Sequence, residues 1–179
     1  MRIKQFDRAE VLKLLRNGNK EAILDYDLRY ADLSNTNLSN IDLSNTNLSN
    51  TNLNNTNLRG ANLRGAILIN TSLINTTLSN TDLNGTNFRG ADLRDAALNG
   101  TDLRGADLRG ANLDYSCYPL SCGSLHLKAD KRLACQLAYH LCSLQCDDAD
   151  YIKVRNSILD FANQFHRVDE CGKLKERKI

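Results

Sequence analysis

The sequence predicts an all-β solenoid, and three regularities of one long stretch lead to this fold class. A five-residue unit repeats seventeen times without an insertion between residues 31 and 115. The central residue of the unit is Leu in sixteen units and Phe88 in the other, and the residue two positions earlier is nearly always Ala or Thr. The residue two positions after the centre is Asn or Gly in fifteen of the seventeen units.

Each position of the unit has a physical reason. Side chains two apart in an extended segment point the same way, so the small residue and the central Leu share one interior, while the residue between them faces water. Asn and Gly tolerate positive φ, which predicts a turn of type II or similar after each short strand. A corner every five residues winds the chain into a narrow solenoid. The short spacing excludes leucine-rich and helical repeats, and Leu at every fifth position does not form a helical stripe.

The units match the pattern Ala-(Asp/Asn)-Leu-x-x, as in residues 61–65 and 106–110. This stretch resembles the pentapeptide-repeat family over about half of the chain. The resemblance implies a right-handed quadrilateral β-helix with four units per coil, so residues twenty apart should stack at about 4.8 Å. The chain departs from the family in its many inner Thr residues, whose hydroxyls we expect to bond backbone carbonyls because a buried hydroxyl needs a partner. These are Thr36, Thr46, Thr51, Thr56, Thr71, Thr76, Thr81, Thr86 and Thr101.

The chain divides into three predicted segments, of which residues 1–25 form an N-terminal helical cap. Asp7 is a good N-cap, Glu10 follows three residues later, and Phe6 is placed to staple to Val11. Such a helix covers the leucines and unpaired backbone groups of the first coil, although a binding role for it is an alternative. Residues 26–125 form the β-helix. Its last ten residues, 116–125, keep the five-residue spacing without a central Leu and should close the solenoid.

Residues 126–179 are predicted to form a C-terminal α-helical cap and dimerisation segment. Apolar residues at helical spacing predict one helix from Lys128 to Cys146 and a second from about Asp150 to His166. Similar C-terminal helices in the resembling family pair two solenoids. The resemblance therefore implies a homodimer formed through this segment.

Composition narrows the choice of partners. The chain has 179 residues and a net charge of +2, which is too small to indicate direct nucleic-acid binding. Its mean hydropathy is −0.44, and no apolar run approaches the length of a membrane span. The first residues are not typical of a secretory signal. Six Cys residues without such a signal indicate reduced thiols in the cytoplasm.

Any binding function of the solenoid must use its outward side chains, because the inward ones fill the interior. Residues 26–115 contain nine Asp and seven Arg, with most Asp just before the central Leu, on the faces, and Arg just after it, at the corners. One interpretation is a solvated surface with weak ion pairs between coils; the other is a protein-binding surface on the charged later coils. Three outward Ile residues form a predicted apolar cluster beside these charges. The candidate interaction residues are Ile67, Ile69, Ile74, Arg89, Asp92, Arg94, Asp102, Arg104, Asp107 and Arg109.

All Cys and His residues, the side chains typical of zinc sites, lie outside the repeats. Cys122 and His126 have three residues between them, and His166 and Cys171 have four, which makes these four residues the candidate zinc ligands. The competing interpretation is packing, because Cys135, Cys142 and Cys146 have the spacing of one buried helix face. No motif supports a Cys-His nucleophile pair. We therefore predict no catalytic residue, no cofactor and no metal.

Enzyme motifs such as a phosphate loop or a dinucleotide fingerprint are missing from the sequence, and a Leu-filled rod offers no pocket. The sequence thus favours a non-enzymatic scaffold that mediates protein–protein interaction. The resemblance also implies an alternative, a mimic of double-stranded nucleic acid that binds a DNA-handling enzyme such as gyrase. Nearly neutral repeats and the lack of loop insertions count against that alternative. Ice binding is a third, remote class because the Thr residues face inward.

Overall fold

The computed structural model describes residues 6–17, 26–117, 128–143, 148–164, 168 and 172–176. The chain divides into two compact parts, Met1–Lys128 and Ala129–Ile179. The first part holds helix α1 (Arg8–Arg16) and the repeats. The second part holds helices α2 (Lys131–Ser143), α3 (Ala149–Ser157) and α4 (Leu159–Ala162). No helix among the described residues is long and apolar enough to cross a membrane.

The repeats form a β-helix whose strands are reduced to single bridged residues, one in each unit. Parallel bridges join positions twenty apart along the whole stretch, from Asp32 with Asn52 to Ala97 with Cys117. Four five-residue units therefore make one coil, as predicted. The predicted stacking of Asp82 on Asp102 is confirmed by a bridge between them.

The interior is filled by the central residues of the units. All of these side chains from Leu28 to Leu113, including Phe88, are at most 2% exposed. The prediction that the inner Thr hydroxyls bond carbonyls is confirmed for eight of the nine, and six of these bonds reach the preceding coil. Thr81 Oγ1, for example, donates to the Leu58 carbonyl at 2.9 Å. That carbonyl also accepts the Ala61 N–H at 3.0 Å, so one acceptor closes a turn and joins two coils.

Each corner is a turn with positive φ at its third residue, as predicted. The φ values lie between 54° and 73° for every unit, whether the residue is Asn or Gly. Tyr30, Asp95 and Tyr115 occupy the same position at 64°, 57° and 62°. The carbonyl of the central residue accepts a hydrogen bond from the N–H three residues later, which closes a turn of type II character.

All five backbone N–H groups of a standard unit are paired, which is the requirement for a buried backbone. Three of them bond to carbonyls of neighbouring coils, and one closes the preceding turn. The fifth, just after the central Leu, bonds to the side-chain oxygen of the outward Asn or Asp two residues earlier. In unit 61–65 the bonds are Ala61 to Leu58 (3.0 Å), Asn62 to Ile41 (2.8 Å), Leu63 to Asp82 (2.8 Å), Arg64 to Asn62 Oδ1 (3.1 Å) and Gly65 to Asn84 (2.9 Å).

Four units lack this side-chain acceptor because their outward residue is Ile67, Ser72, Thr77 or Ala97. In the unit of Ser72 the coil below supplies a substitute. Asn54 Oδ1 accepts from the Ile74 N–H at 2.8 Å and from the Ser72 hydroxyl at 2.7 Å. The outward Asn and Asp residues are therefore part of the backbone hydrogen bonding and not merely solvent-facing.

Helix α1 has the predicted start. The Asp7 side chain accepts from the Glu10 N–H at 2.9 Å, and Val11 and Leu15 are buried. Arg8 donates from Nε to the Asp32 carbonyl at 3.0 Å and from Nη2 to the Ser34 carbonyl at 2.7 Å. The helix is thus hydrogen-bonded to the first coil. The predicted helix end at Gly18 lies outside the described residues.

The coil register changes near the end of the repeats. Asp107 pairs with Lys128, twenty-one positions later instead of twenty. The predicted closing segment 116–125 lies outside the described residues except for Ser116 and Cys117, so its five-residue spacing stays a prediction. Lys128 still bonds within the β-helix, through its N–H to the Ala106 carbonyl at 2.8 Å.

The second part differs from the predicted pair of helices in two ways. Helix α2 begins at Lys131 instead of Lys128, because Lys128 is bonded in the β-helix. The second predicted helix is interrupted at Ile158, whose φ and ψ of −107° and 5° separate α3 from α4. The core of this part contains Tyr139, Cys142 and Ala162. Arg155 is buried against it and donates from Nε to the Cys142 carbonyl at 2.8 Å, near the end of α2.

The substitute acceptor at Asn54 gives a direct test of the backbone requirement. We expect Asn54→Ala to lower the free energy of unfolding by about 1–2 kcal/mol, because it removes the acceptor of a backbone N–H and of a hydroxyl. Urea denaturation followed by circular dichroism measures this. Ser72→Asp should restore part of the loss in the double variant by supplying an acceptor within the unit.

The control for that experiment is Asn99→Ala, at an exposed corner position whose side chain forms no hydrogen bond with the described part of the chain. A loss as large for Asn99→Ala as for Asn54→Ala would contradict the role assigned to Asn54.

Candidate protein-interaction surface

The outward residues lie where the unit pattern places them. Asp92, Asp102 and Asp107 are the bridged residues on the faces, and Arg94, Arg104 and Arg109 follow at the corners. Four repeats carry the triplet Asp-Leu-Arg, and in each the two charged side chains form an ion pair. The N···O distances are 2.6 Å for Asp27 with Arg29, 2.7 Å for Asp92 with Arg94, and 2.5 Å for both Asp102 with Arg104 and Asp107 with Arg109.

These ion pairs have one common geometry. The Arg Nε donates to one carboxylate oxygen and Nη2 to the other; at Asp92 these distances are 2.9 and 2.7 Å. The Arg backbone N–H also donates to the same carboxylate. The prediction of ion pairs between coils is wrong for the pairs among the described repeat residues, since each lies within one unit. The i, i+2 spacing around a tight turn holds the two side chains together.

The ion pairs keep the carboxylates charged. Hydrogen bonds from Arg109 lower the pKa of Asp107 from its ordinary value of 3.8 to about 2. The Asp92 and Asp102 pKa values are lowered in the same way by Arg94 and Arg104. A carboxyl group that holds no proton near neutral pH does not act there as a general acid.

Three repeats carry Asn in place of the Asp before their Arg, and here the guanidinium makes no ion pair with any described residue. The triplets are Asn57-Leu58-Arg59, Asn62-Leu63-Arg64 and Asn87-Phe88-Arg89. The Asn still accepts the Arg backbone N–H, as at Asn87 with Arg89 at 3.1 Å, so the turn is unchanged. Substitution of Asn for Asp therefore frees the Arg side chain without altering the backbone bonding.

The three Ile residues of the predicted apolar cluster are divided between two units. Ile67 and Ile69 belong to one unit, whereas Ile74 lies at the following corner. Ile67 is 36% exposed, and Ile69 and Ile74 are half-buried. Arg89 occupies the same corner as Ile69 on the next coil, where the Asn70 N–H bonds to the Arg89 carbonyl at 3.0 Å. Arg94 likewise occupies the same corner as Ile74 on the next coil, where the Asn75 N–H bonds to the Arg94 carbonyl at 2.9 Å.

Arg59 and Arg64 were missed as candidate interaction residues. The sequence carries a signal for them, because an Arg forms an ion pair where Asp stands two residues earlier and not where Asn does. The exposed apolar side chains of the second part, Leu141, Val154 and Phe161, were also missed. Leu141 lies on α2, whereas Val154 and Phe161, seven residues apart, lie on α3 and α4; such spacing gives only a weak signal beside the buried residues of the same helices.

The candidate zinc ligands Cys122, His126, His166 and Cys171 lie outside the described residues, so zinc binding there stays a prediction. Cys135 and Cys142 are buried on α2 and are free thiols, in agreement with the packing interpretation. Within the described part of the chain, no cluster of three His, Cys, Asp or Glu side chains is arranged to hold a metal ion.

Comparisons with known proteins agree with this architecture. A family model described as pentapeptide repeats matches residues 27–65, 56–95 and 86–117, with eight copies. Among solved structures, the chain is similar to a pentapeptide repeat protein from the thylakoid lumen of Arabidopsis thaliana, with 27% identity, coverage of 64% of this chain and 77% of that chain, and a TM-score of 0.53. No curated protein sequence matches the chain.

Two further solved structures are similar at TM-scores below 0.5, which carry no argument about function. Rfr23 from the cyanobacterium Cyanothece 51142 has 31% identity, coverage of 58% of this chain and 84% of that one, and a TM-score of 0.45. QnrB1, a plasmid-mediated fluoroquinolone resistance protein, has 21% identity, 68% coverage of each chain and a TM-score of 0.34.

The Asp107 ion pair should be visible in the pH dependence of stability. A lowered pKa in the folded chain stabilises it above the ordinary pKa of 3.8, and this contribution is lost as the pH falls toward 2. We expect Asp107→Asn to be less stable than wild type by about 1 kcal/mol at pH 6, an estimate reduced for the exposed Arg109. The difference should close between pH 4 and pH 2 in urea denaturation. A difference that does not change with pH would show that the carboxylate charge does not matter.

Proposed function

The chain belongs to the pentapeptide-repeat family, whose right-handed quadrilateral β-helix it forms, and from this premise we propose that it is a non-enzymatic scaffold that binds another protein. The single observation that carries the proposal is the arrangement of exposed and half-buried groups on two neighbouring coils, coil three (residues 66–85) and coil four (residues 86–105). Apolar Ile67 and Ile69 lie beside Arg89, which no described carboxylate neutralises. Arginine is among the residues that contribute most at protein interfaces, and the buried centre of an interface is more apolar than the rest of the protein surface.

Two features of the repeats support a binding role over catalysis. Leu, Phe and Thr side chains fill the interior, so the functional groups stand on an outer surface that water reaches. The Asp side chains of the Asp-Leu-Arg triplets are held ionised by their Arg partners. General acid–base catalysis needs a group whose pKa lies near the working pH.

We further propose that α1 acts as the cap of the first coil and that the second part forms the homodimer implied by the family resemblance. Arg8 supports the first idea by bonding two carbonyls of the first coil. Exposed Leu141, Val154 and Phe161 support the second. Sedimentation equilibrium of wild type and of Val154→Lys tests the dimer, which is wrong if the wild type sediments as a monomer at high micromolar concentration. The cytoplasmic location stays a prediction.

The nucleic-acid mimic is the less well supported alternative. A duplex mimic needs a continuous row of negative charges, and Arg partners neutralise four of the Asp side chains within their own units. A gyrase supercoiling assay separates the two functions: the scaffold proposal expects no change in supercoiling at high micromolar protein, and inhibition would favour the mimic.

Affinity capture from the native host tests the scaffold proposal. Wild type should retain a defined protein that binds saturably when purified, and Ile67→Lys should weaken that binding about tenfold or more, because a cation replaces an apolar contact. Thr77→Lys is the matched control, since Thr77 is the outward residue two units later in the same coil, on the opposite face. Failure of wild type to bind any protein saturably, or equal losses for both variants, would contradict the proposal.

A further inference from the structure

The apolar residues of coil three lie between two unpaired arginines. Arg64 is at the corner where the chain enters the unit of Ile67 and Ile69, three residues before Ile67. Arg89 is one coil further along, next to Ile69 through the Asn70–Arg89 backbone bond. Both Arg side chains are exposed, and neither forms an ion pair with a described residue. We call Arg64, Ile67, Ile69 and Arg89 the Ile67 surface.

Arg64 and Arg89 give the Ile67 surface itself a positive charge, and the nearest carboxylates lie beyond Arg64, at Asp82, which continues the bridge from Asn62, and at Asp102, whose pKa Arg64 helps to lower. The face that carries Ile67 continues through Asn87 and Asp107 to Lys128. Asp107 is already paired with Arg109, and Lys128 lies beside it as a further cation. Toward the other end of this face Ile67 is bridged to Asn47, which is uncharged.

We propose that the Ile67 surface binds a protein segment in which acidic side chains flank an apolar side chain. The apolar side chain packs on Ile67 and Ile69, and the carboxylates pair with Arg64 and Arg89. Arginine binds carboxylates through two parallel N–H donors, the same contact that Arg94 makes with Asp92 inside its own repeat. The inference rests on the proposed scaffold function and specifies the chemistry of its partner.

The chain supplies its own matched controls. Arg59 is also unpaired and exposed, but it lies at a different corner, without an Ile beside it. Arg94 follows an Ile at its corner as Arg89 does, but it is paired with Asp92. Asn87→Asp would create an Asp-Phe-Arg triplet, which should hold Arg89 in the repeat while keeping both the side chain and the turn bond.

Selection from a phage library of random twelve-residue peptides tests the proposal on the full-length protein. The enriched peptides should carry Asp or Glu on both sides of a large apolar residue. The most enriched peptide is then synthesised with a fluorescent label, together with a twin in which Asn and Gln replace Asp and Glu. Fluorescence anisotropy should show that the twin binds at least about tenfold more weakly, and that added salt weakens the acidic peptide more than the twin.

The variants locate the binding. Arg64→Ala, Arg89→Ala and Asn87→Asp should each weaken the acidic peptide by roughly three- to tenfold, whereas Arg59→Ala and Arg94→Ala should change its affinity by less than about twofold. Enrichment of peptides without acidic residues, no enrichment at all, or equal effects of Arg59→Ala and Arg89→Ala would overturn the proposal. A host protein captured equally by wild type and Arg89→Ala would also overturn it, while leaving the scaffold function standing.

Discussion

The fold depends on pairing every backbone N–H group in a chain that turns a corner at each fifth residue. Neighbouring coils supply three partners in each unit, and the preceding turn supplies one. The N–H that follows the central Leu bonds to neither, and in most units the outward Asn or Asp side chain accepts it. Asn and Asp place an oxygen at the right distance, as Asn62 does for Arg64. A solvent-facing position would ordinarily accept many residue types. The need for an acceptor explains why this one is nearly always Asn or Asp.

Because Asn and Asp both meet this requirement, the surface charge of a unit can change while its backbone hydrogen bonds stay the same. Asn and Asp serve equally as acceptor for the turn, so an exchange between them leaves the backbone bonding as it is. The exchange nevertheless decides whether an Arg two residues later is held in the repeat, as at Asp107, or remains available, as at Arg89. A pentapeptide solenoid is therefore able to vary the charges that it offers to a partner by replacing an oxygen with an amide nitrogen, without a change in its coil geometry.

Much of the β-helix was predictable because its determinants are local and repeated. The central Leu residues, the inner Thr hydroxyls and the positive φ of residues such as Asn35 all follow from positions within one unit. The ion pairs were assigned to stacked coils because residues twenty apart are neighbours, whereas the turn brings Asp102 and Arg104 together first. The break at Ile158 had no such signal, since no Gly or Pro marks that position.

Departures from a local rule carry the most information in so regular a chain. Ile67 occupies the position at which Asn or Asp accepts the turn N–H, and its side chain has no acceptor to offer. Ser72 breaks the same rule, but Asn54 replaces the missing oxygen from the coil below. Ile67 also exposes apolar surface where the neighbouring coils on its face present Asn47 and Asn87. Breaks in local rules are expected at functional or strained sites. Thr77 and Ala97 also lack the acceptor, but only Ile67 combines this with a large exposed apolar side chain between two arginines, Arg64 and Arg89, that form no ion pair with a described residue, and the proposal of a partner rests on that combination.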